Sequence, residues 1–343
     1  MSERRLYLDR GIGESRGVVM LDGRPERLLI TRDGDVAAEQ LGARLVARVR
    51  KVEPALASAF VDLGEGRQAM FSYKPDNRPV EGQCLEVEIR TEPRADKLAT
   101  VRVLGPAEGA PRLLAPGPDV AGQLVHFARG AEIVEGREAR SVADEAEAEA
   151  LETIHPLPGG GSLAIEPTRA LVAVDVDLGE RKGADAKRVT RQANMAALSE
   201  TARLLRLKGL GGLVVLDLVG RGHDATALLN AARAAFAADN PGVSIGPVGR
   251  FGTMELALPR RGRPLADILG RGPSDLTLAL RLIRMIESEG WRQGGARLSA
   301  ICAPPVAEAA APLAKRLAAQ IGARFEIRPE AGYSRERMAV RAT

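Results

Sequence analysis

Two short apolar runs each end in aspartate, and one long helical stretch joins them. Ala170-Leu-Val-Ala-Val leads into Asp175-Val-Asp177, and Leu213-Val-Val-Leu leads into Asp217. Between them, residues 186–207 set Met195, Leu198, Ala202 and Leu205 on one helical face, and Gly209, Gly211 and Gly212 end the helix. Strands joined by one helix are parallel near neighbours, so their C-terminal ends share an edge. Asp175 and Asp217 are therefore expected to converge there, where open α/β sheets bind ligands. Two adjacent carboxylates repel unless a cation or a shared proton relieves them. Mg²⁺ suits such a pair, because it keeps several waters and takes one or two carboxylates plus substrate phosphate. The same aspartates could instead cap turns or helix N-termini. Spacing alone leaves both readings open.

The surrounding pattern is α/β. Ser162–Glu166 reads as a strand before a Pro167-Thr168 turn, Asp224–Asp239 as a helix and Ser244–Val248 as a strand. This rhythm predicts a mostly parallel sheet. From Ser274 onward a helix, a strand (Arg297–Ala303), a helix (Val306–Ile321) and a strand (Phe325–Arg328) predict a small α/β unit.

The N-terminal third is different. Leu6–Leu8, Gly17–Leu21 and Arg27–Thr31 are β-rich runs split by Asp-Gly turns, too few to close a sheet without a downstream partner. Five more strands follow: Arg44–Val52, Ala57–Leu63, Gln68–Ser72, Gln83–Arg90 and Lys97–Leu104, a density that predicts a small barrel of the OB type. Residues 105–118, rich in Pro and Gly, read as a linker. Two helices with a short strand at Glu132–Val134 then run to Glu152, and the acidic run from Asp144 reads as an exposed face. Small barrels hold single-stranded nucleic acid by stacking bases on aromatics and adding basic side chains. Phe60 and Phe71 lie on successive barrel strands, with Arg48, Arg50, Arg67 and Lys97 as the basic set; core filling is the competing role for each Phe.

Composition narrows the class. Only Cys84 and Cys302 are present, which excludes a disulfide framework and a Cys-only four-ligand zinc site. The three histidines show no metal spacing. There is no apolar run of about 18 residues and no N-terminal apolar region, so a reduced, soluble, cytoplasmic protein without a membrane partner is expected. A net charge of +4 permits an anionic partner without demanding one.

Several longer stretches carry a resemblance. VRKVEPALASAFVDLG (49–64) with Arg67-Gln-Ala-Met-Phe71, PGGGSLAIEPTRALVAVDVD (158–177), NMAALSETARLLRLKGLGGLVVLD (194–217) and GRFGTMEL (249–256) follow one another in an order that resembles the ribonuclease E/G family. GESRGVVMLDG (13–23) resembles that family's opening strands.

The resemblance implies an α+β and α/β multidomain chain. An RNase H-like subdomain (1–36 with 106–157, the latter including a linker and a reduced 5′-sensor region) would be interrupted by an OB-fold RNA-binding barrel (37–105). A DNase I-like α/β catalytic subdomain (158–265) and a small C-terminal α/β domain (266–343) would follow. It implies a Mg²⁺-dependent endoribonuclease, with Mn²⁺ as the alternative ion, acting on single-stranded RNA in ribosomal RNA processing or messenger decay. The family's metal aspartates match Asp175 and Asp217, its base-contacting aromatics Phe60 and Phe71, a basic residue Lys97, and an arginine near the active site Arg250. Where the family has asparagine this chain has Asp177, a further metal candidate. GERKGADAKR (179–188) replaces a Ser-Ala-Arg-rich stretch, with Arg181, Lys182, Lys187 and Arg188 as substitute phosphate contacts. No 5′-monophosphate pocket motif is visible. The zinc-binding Cys-x-x-Cys is missing from PRRGRPLADILGRGPSD (259–275), so no zinc is expected and a homodimer, if formed, would use the C-terminal domain. The alternative is an RNA-binding relative with weak or lost catalysis.

Overall fold

A computed structural model describes residues 3–94, 97–181, 185–239 and 242–342. The opening strands β1 (Arg4–Arg10), β2 (Glu14–Leu21) and β3 (Arg24–Arg32) form an antiparallel meander. Asp22 (φ 50°) and Gly23 (φ 76°) both adopt the left-handed conformation that tight hairpin turns require.

The barrel strands are β4 (Arg44–Glu53), β5 (Ser58–Gly64), β6 (Arg67–Ser72), β7 (Cys84–Thr91) and β8 (Ala99–Pro106). They close in the order β4-β5-β6-β8-β7-β4, and within that ring only β6 and β8 run parallel. Period-two alternation sends Leu45, Ala47, Val49, Ala59, Val61, Leu63, Val87 and Ile89 into a common core. The barrel is OB-like, as its strand spacing predicts. The expected linker is not all linker: Arg112–Ala115 forms β9 and pairs with β4. Pro and Gly on both sides of that short Arg-Leu-Leu-Ala run masked a strand whose partner is remote in sequence.

Next come α1 (Val120–Ala128), β10 (Ile133–Glu135) and α2 (Arg137–Leu151). β10 pairs parallel with β1, giving the sheet β10-β1-β2-β3 the downstream partner it needs. Leu6, Leu8 and Val19 pack with Val120 and Leu124, while Tyr7, Val18 and Leu28 join a core with Ala139, Ala143 and Ala146. The acidic helix face is thus not wholly solvated. Glu147 is buried and ion-paired with Arg16, Arg281 and Arg284.

The second sheet contains β11 (Ile154–Pro156), β12 (Ser162–Pro167), β13 (Val172–Asp177), β14 (Gly212–Asp217), β15 (Ser244–Val248) and β16 (Thr253–Leu258). Helices α3 (Ala186–Leu207) and α4 (Ala225–Ala235) follow β13 and β14. The strand order is β11-β12-β13-β14-β16-β15, and only β13 and β14 are parallel. The mostly parallel sheet expected from the rhythm is corrected here. Tight turns at 168–171 and 249–252 make hairpins, which reverse direction; the α3 and α4 crossovers both preserve it, but α4 delivers β15 to the far side of β16, so only α3 joins parallel neighbours. Val174, Val176, Val214, Leu216, Met254 and Leu256 form the buried face, packed with Ala197, Leu198, Leu205 and Leu228. The opposite face is open.

The chain ends with α5 (Leu265–Leu269), α6 (Asp275–Arg292), β17 (Leu298–Cys302), α7 (Pro304–Ile321), β18 (Phe325–Pro329) and β19 (Ala339–Ala342). The sheet order is β18-β17-β19. Charged side chains fasten this unit to the first sheet and α2: Arg140 bonds Asp9 and Glu287, Arg281 bonds Glu147, which also holds Arg16, and Arg284 bonds Glu14. Removing one member of such a buried set costs about 3–5 kcal/mol, because the other charges are left unpaired. Among the described residues no helix is long and apolar enough to cross a membrane.

Candidate active site and its relatives

Asp175 and Asp217 are register partners across β13 and β14. Neighbouring strands lie about 4.8 Å apart and partnered residues in parallel strands point to the same face, so the two carboxylates stand side by side. Val174, Val176 and Leu216 go inward, which turns both aspartates to the open face, where both are exposed. Neither makes an ion pair or a side-chain hydrogen bond with any described residue. Two unneutralised acids at this spacing form an acceptor pair for a hard divalent cation. No group of three or more His, Cys, Asp or Glu side chains among the described residues could hold a metal, so any ion here would take its remaining ligands from water or substrate.

Asp177 lies on the same face two residues along, but its Oδ1 accepts from the Gly179 backbone N at 2.9 Å and closes the outgoing turn. Below it Gly161 (φ 77°) packs so closely that a Cβ would meet the Asp177 carbonyl at 2.3 Å. Arg181 donates to the carbonyls of Pro158 and Gly160, so its guanidinium pins this hairpin. Lys187 and Arg188 are exposed in the first turn of α3. Lys182 falls outside the described residues.

The loop after Asp217 is held by a residue that the sequence reading passed over. Asn194, fully buried on α3, donates Nδ2 to the Val219 carbonyl at 3.0 Å and accepts from the Val219 N at 3.1 Å. An amide two turns into an otherwise apolar helix face was the available signal, since a buried amide needs a specific partner. Gly220 (φ 89°) completes the approach, as a Cβ there would meet Thr190 Cγ2 at 2.6 Å. Helices α3 and α4 both begin at this end of the sheet, and each N-terminus is already capped by its own carboxylate: Asp185 accepts from the Lys187 and Arg188 N, and Asp224 from the Ala227 N.

Arg250 and Phe251 sit on the β15–β16 turn, just before Thr253, the register partner of Asp217. The Arg250 guanidinium lies 4.5 Å from the Phe251 ring centroid. His223, from the loop after Asp217, places its buried Nε2 against this turn without a hydrogen-bond partner, 3.4 Å from where a Gly252 Cβ would stand.

The barrel residues are elsewhere. Phe60 is half-buried on the outer surface beside Met70, whereas Phe71 is only 7% exposed and packs in the barrel core. Lys97 is exposed next to Arg94. Burial and the nearby Arg260 push the Arg94 guanidinium below its ordinary pKa, and Arg260 donates to the carbonyl of Gly211, the residue just before β14. Glu92 also accepts from Arg263 N at 3.0 Å. The barrel therefore docks at the opposite end of β14 from Asp217, roughly 17 Å away along the strand. The structure brings together Asp175, Asp217, Asp177 and the Arg250 turn; it does not bring Phe60, Phe71 or Lys97 to them.

Comparison with known proteins falls on this site. The family model described as "Ribonuclease E/G family" matches residues 124–261. This stretch of the chain is similar to the ribonuclease E/G family. It contains Asp175, Asp217 and Arg250, and excludes the barrel. The chain is 30% identical to Ribonuclease E of Escherichia coli (strain K12) over 164 residues, covering 44% of this chain and 16% of the relative. It is 33% identical over 125 residues to Ribonuclease E of Nostoc sp. (strain PCC 7120 / SAG 25.82 / UTEX 2576), covering 36% and 18%. It is 30% identical over 138 residues to a Ribonuclease E/G-like protein, chloroplastic, of Arabidopsis thaliana, covering 39% and 14%. The chain thus spans less than a fifth of the length of these ribonuclease E/G relatives.

Proposed function

We propose that this protein is an endoribonuclease that cuts single-stranded RNA by water attack at a Mg²⁺ ion held by Asp175 and Asp217. The observation that carries the reading is their pairing on an open sheet face without a cationic partner, inside the segment that matches the family. When bound, the ion (or Mn²⁺) would activate a water and offset charge developing on the scissile phosphate. The two carboxylates hold that position. Arg250 attracts the flanking phosphates, with the exposed Lys187 and Arg188 adding positive charge. The water oxygen bonds to phosphorus, the P–O3′ bond breaks, and the departing oxygen takes a proton. The products carry 5′-phosphate and 3′-hydroxyl ends, as the resemblance implies.

On this reading a single strand leaves the barrel surface near Phe60 and Lys97 and crosses the open face of the second sheet to the aspartate pair. A duplex would be too wide and stiff to follow both surfaces. The test is incubation of the chain with an AU-rich single strand, with Mg²⁺ and with a chelator. Cleavage that needs the ion supports the enzyme. Tight binding without cleavage favours the second reading, an RNA-binding relative, for which the commitment of Asp177 to its own turn is the motivating observation.

A further inference from the structure

Phe251 is 77% exposed, more than any other large apolar side chain of the described residues. The other aromatic rings of the chain are buried or half-buried. The ring does not stand on a loose loop. Gly249 N donates to the Thr253 carbonyl at 2.8 Å, Gly252 N to the Gly249 carbonyl at 3.0 Å, and Leu218 N to the Gly252 carbonyl at 3.2 Å. The turn is thus tied to its own base and to the residue after Asp217. From the register and chain length, the Phe251 Cα lies within about 13 Å of that of Asp217.

One face of the ring carries the Arg250 guanidinium, which has no carboxylate partner among the described residues. Its immediate chain neighbours are glycine, arginine and threonine. A docking site for another protein needs a contiguous apolar patch of a few hundred Å²; here a lone ring and an unpaired cation stand beside an acidic pair. A nucleotide offers the matching chemistry, a flat π-face joined to a phosphate.

We propose that Phe251 is a base-stacking platform for the unpaired nucleobase next to the scissile phosphate, with Arg250 pairing to a phosphate of the same strand. The proposal rests on the RNA-cleaving reading of the site and adds the subsite that positions the strand there. Stacking is indifferent to which base is present, so the platform selects for an unpaired base rather than for a sequence.

The test uses the full chain. Phe251→Ala should keep the parent's melting temperature and raise KM for a single-stranded RNA about tenfold with kcat largely retained. Phe251→Trp should restore KM, and Phe251→Leu should not. Substrates with a single base removed at successive positions should slow the parent at one position, and Phe251→Ala should be insensitive there. Independently of cutting, Phe251→Trp combined with Asp217→Asn should show indole fluorescence quenched by RNA beyond the Trp291 background. RNA binding and cleavage unaffected by Phe251→Ala, with an unquenched indole, would overturn the platform alone. Absence of any RNA binding by the parent would overturn the RNA reading and the platform together.

Discussion

Asp175 and Asp217 face each other across the one parallel strand pair of the second sheet, and no described side chain neutralises either. The crossover through α3 makes that pair parallel, and parallel pairing brings two strand ends with the same polarity to one place. Two like charges held this way cost stability until something positive binds. Divalent cations should therefore raise the melting temperature, in the order of their affinity for the pair. A site occupied at ten times its Kd contributes about 1.4 kcal/mol. Thermal scans with Mg²⁺, Mn²⁺ and chelator measure it. Asp175→Asn and Asp217→Asn should each abolish the ion-dependent rise while raising the metal-free melting temperature. An ion effect that survives both substitutions would place the cation elsewhere.

Asn194 predicts a linked loss. Its amide meets both backbone groups of Val219 in a dry position. Asn194→Ala should cost about 2–4 kcal/mol in urea unfolding, because a buried carbonyl and N–H lose their partner. The same variant should blunt the ion-dependent rise in melting temperature, since the chain after Asp217 is no longer pinned. A change under about 0.5 kcal/mol, the size of an ordinary surface substitution, would contradict this.

Acid stability should follow the buried charge network. Burial alone would push Asp9 and Glu147 up, but the neighbouring arginines, Arg16 and Arg140 for Asp9 and Arg284, Arg16 and Arg281 for Glu147, outweigh it and hold both carboxyls below their ordinary values. A depressed folded-state pKa means that the folded state binds fewer protons than the unfolded one. The stabilisation is then complete above the unfolded carboxylate range, about pH 4, and is lost as pH falls through the folded values. Arg16→Met should remove much of this, costing about 3–5 kcal/mol near neutrality and moving the acid unfolding midpoint upward. An unchanged midpoint on pH titration by circular dichroism would contradict it.

Much of this architecture is legible in the sequence where the local signal is strong. The barrel strands emerge almost residue for residue, because alternation and Gly/Pro turns act within a few residues of each strand. The aspartate pair is legible because one helix between two apolar runs dictates parallel neighbours. Strand direction elsewhere in the second sheet is not, since hairpin and crossover connections differ only in the short turns at 168–171 and 249–252. Arg112–Ala115 becomes a strand only through its distant partner on β4. Glu147 looks solvated in an Ala-Glu repeat, and only the arrival of Arg16, Arg281 and Arg284 from remote segments buries it. Asn194 and Phe251 show their places only once the loop after Asp217 and the β15–β16 turn are folded against them.

The 5′ end of the RNA offers a separate check. The interval after the barrel is spent on β9 and Pro/Gly turns, and no monophosphate-pocket motif is visible in it. Matched single strands with 5′-monophosphate and 5′-hydroxyl ends should be cut at equal rates. A large monophosphate preference in single-turnover assays would show that such a pocket exists.

The most direct measurement compares parent and Asp217→Asn for both cutting and binding of one single-stranded RNA in saturating Mg²⁺. Cleavage should disappear while RNA affinity and the metal-free fold are kept. Cleavage that persists in Asp217→Asn at the parent's rate would contradict the placement of the chemistry at the aspartate pair.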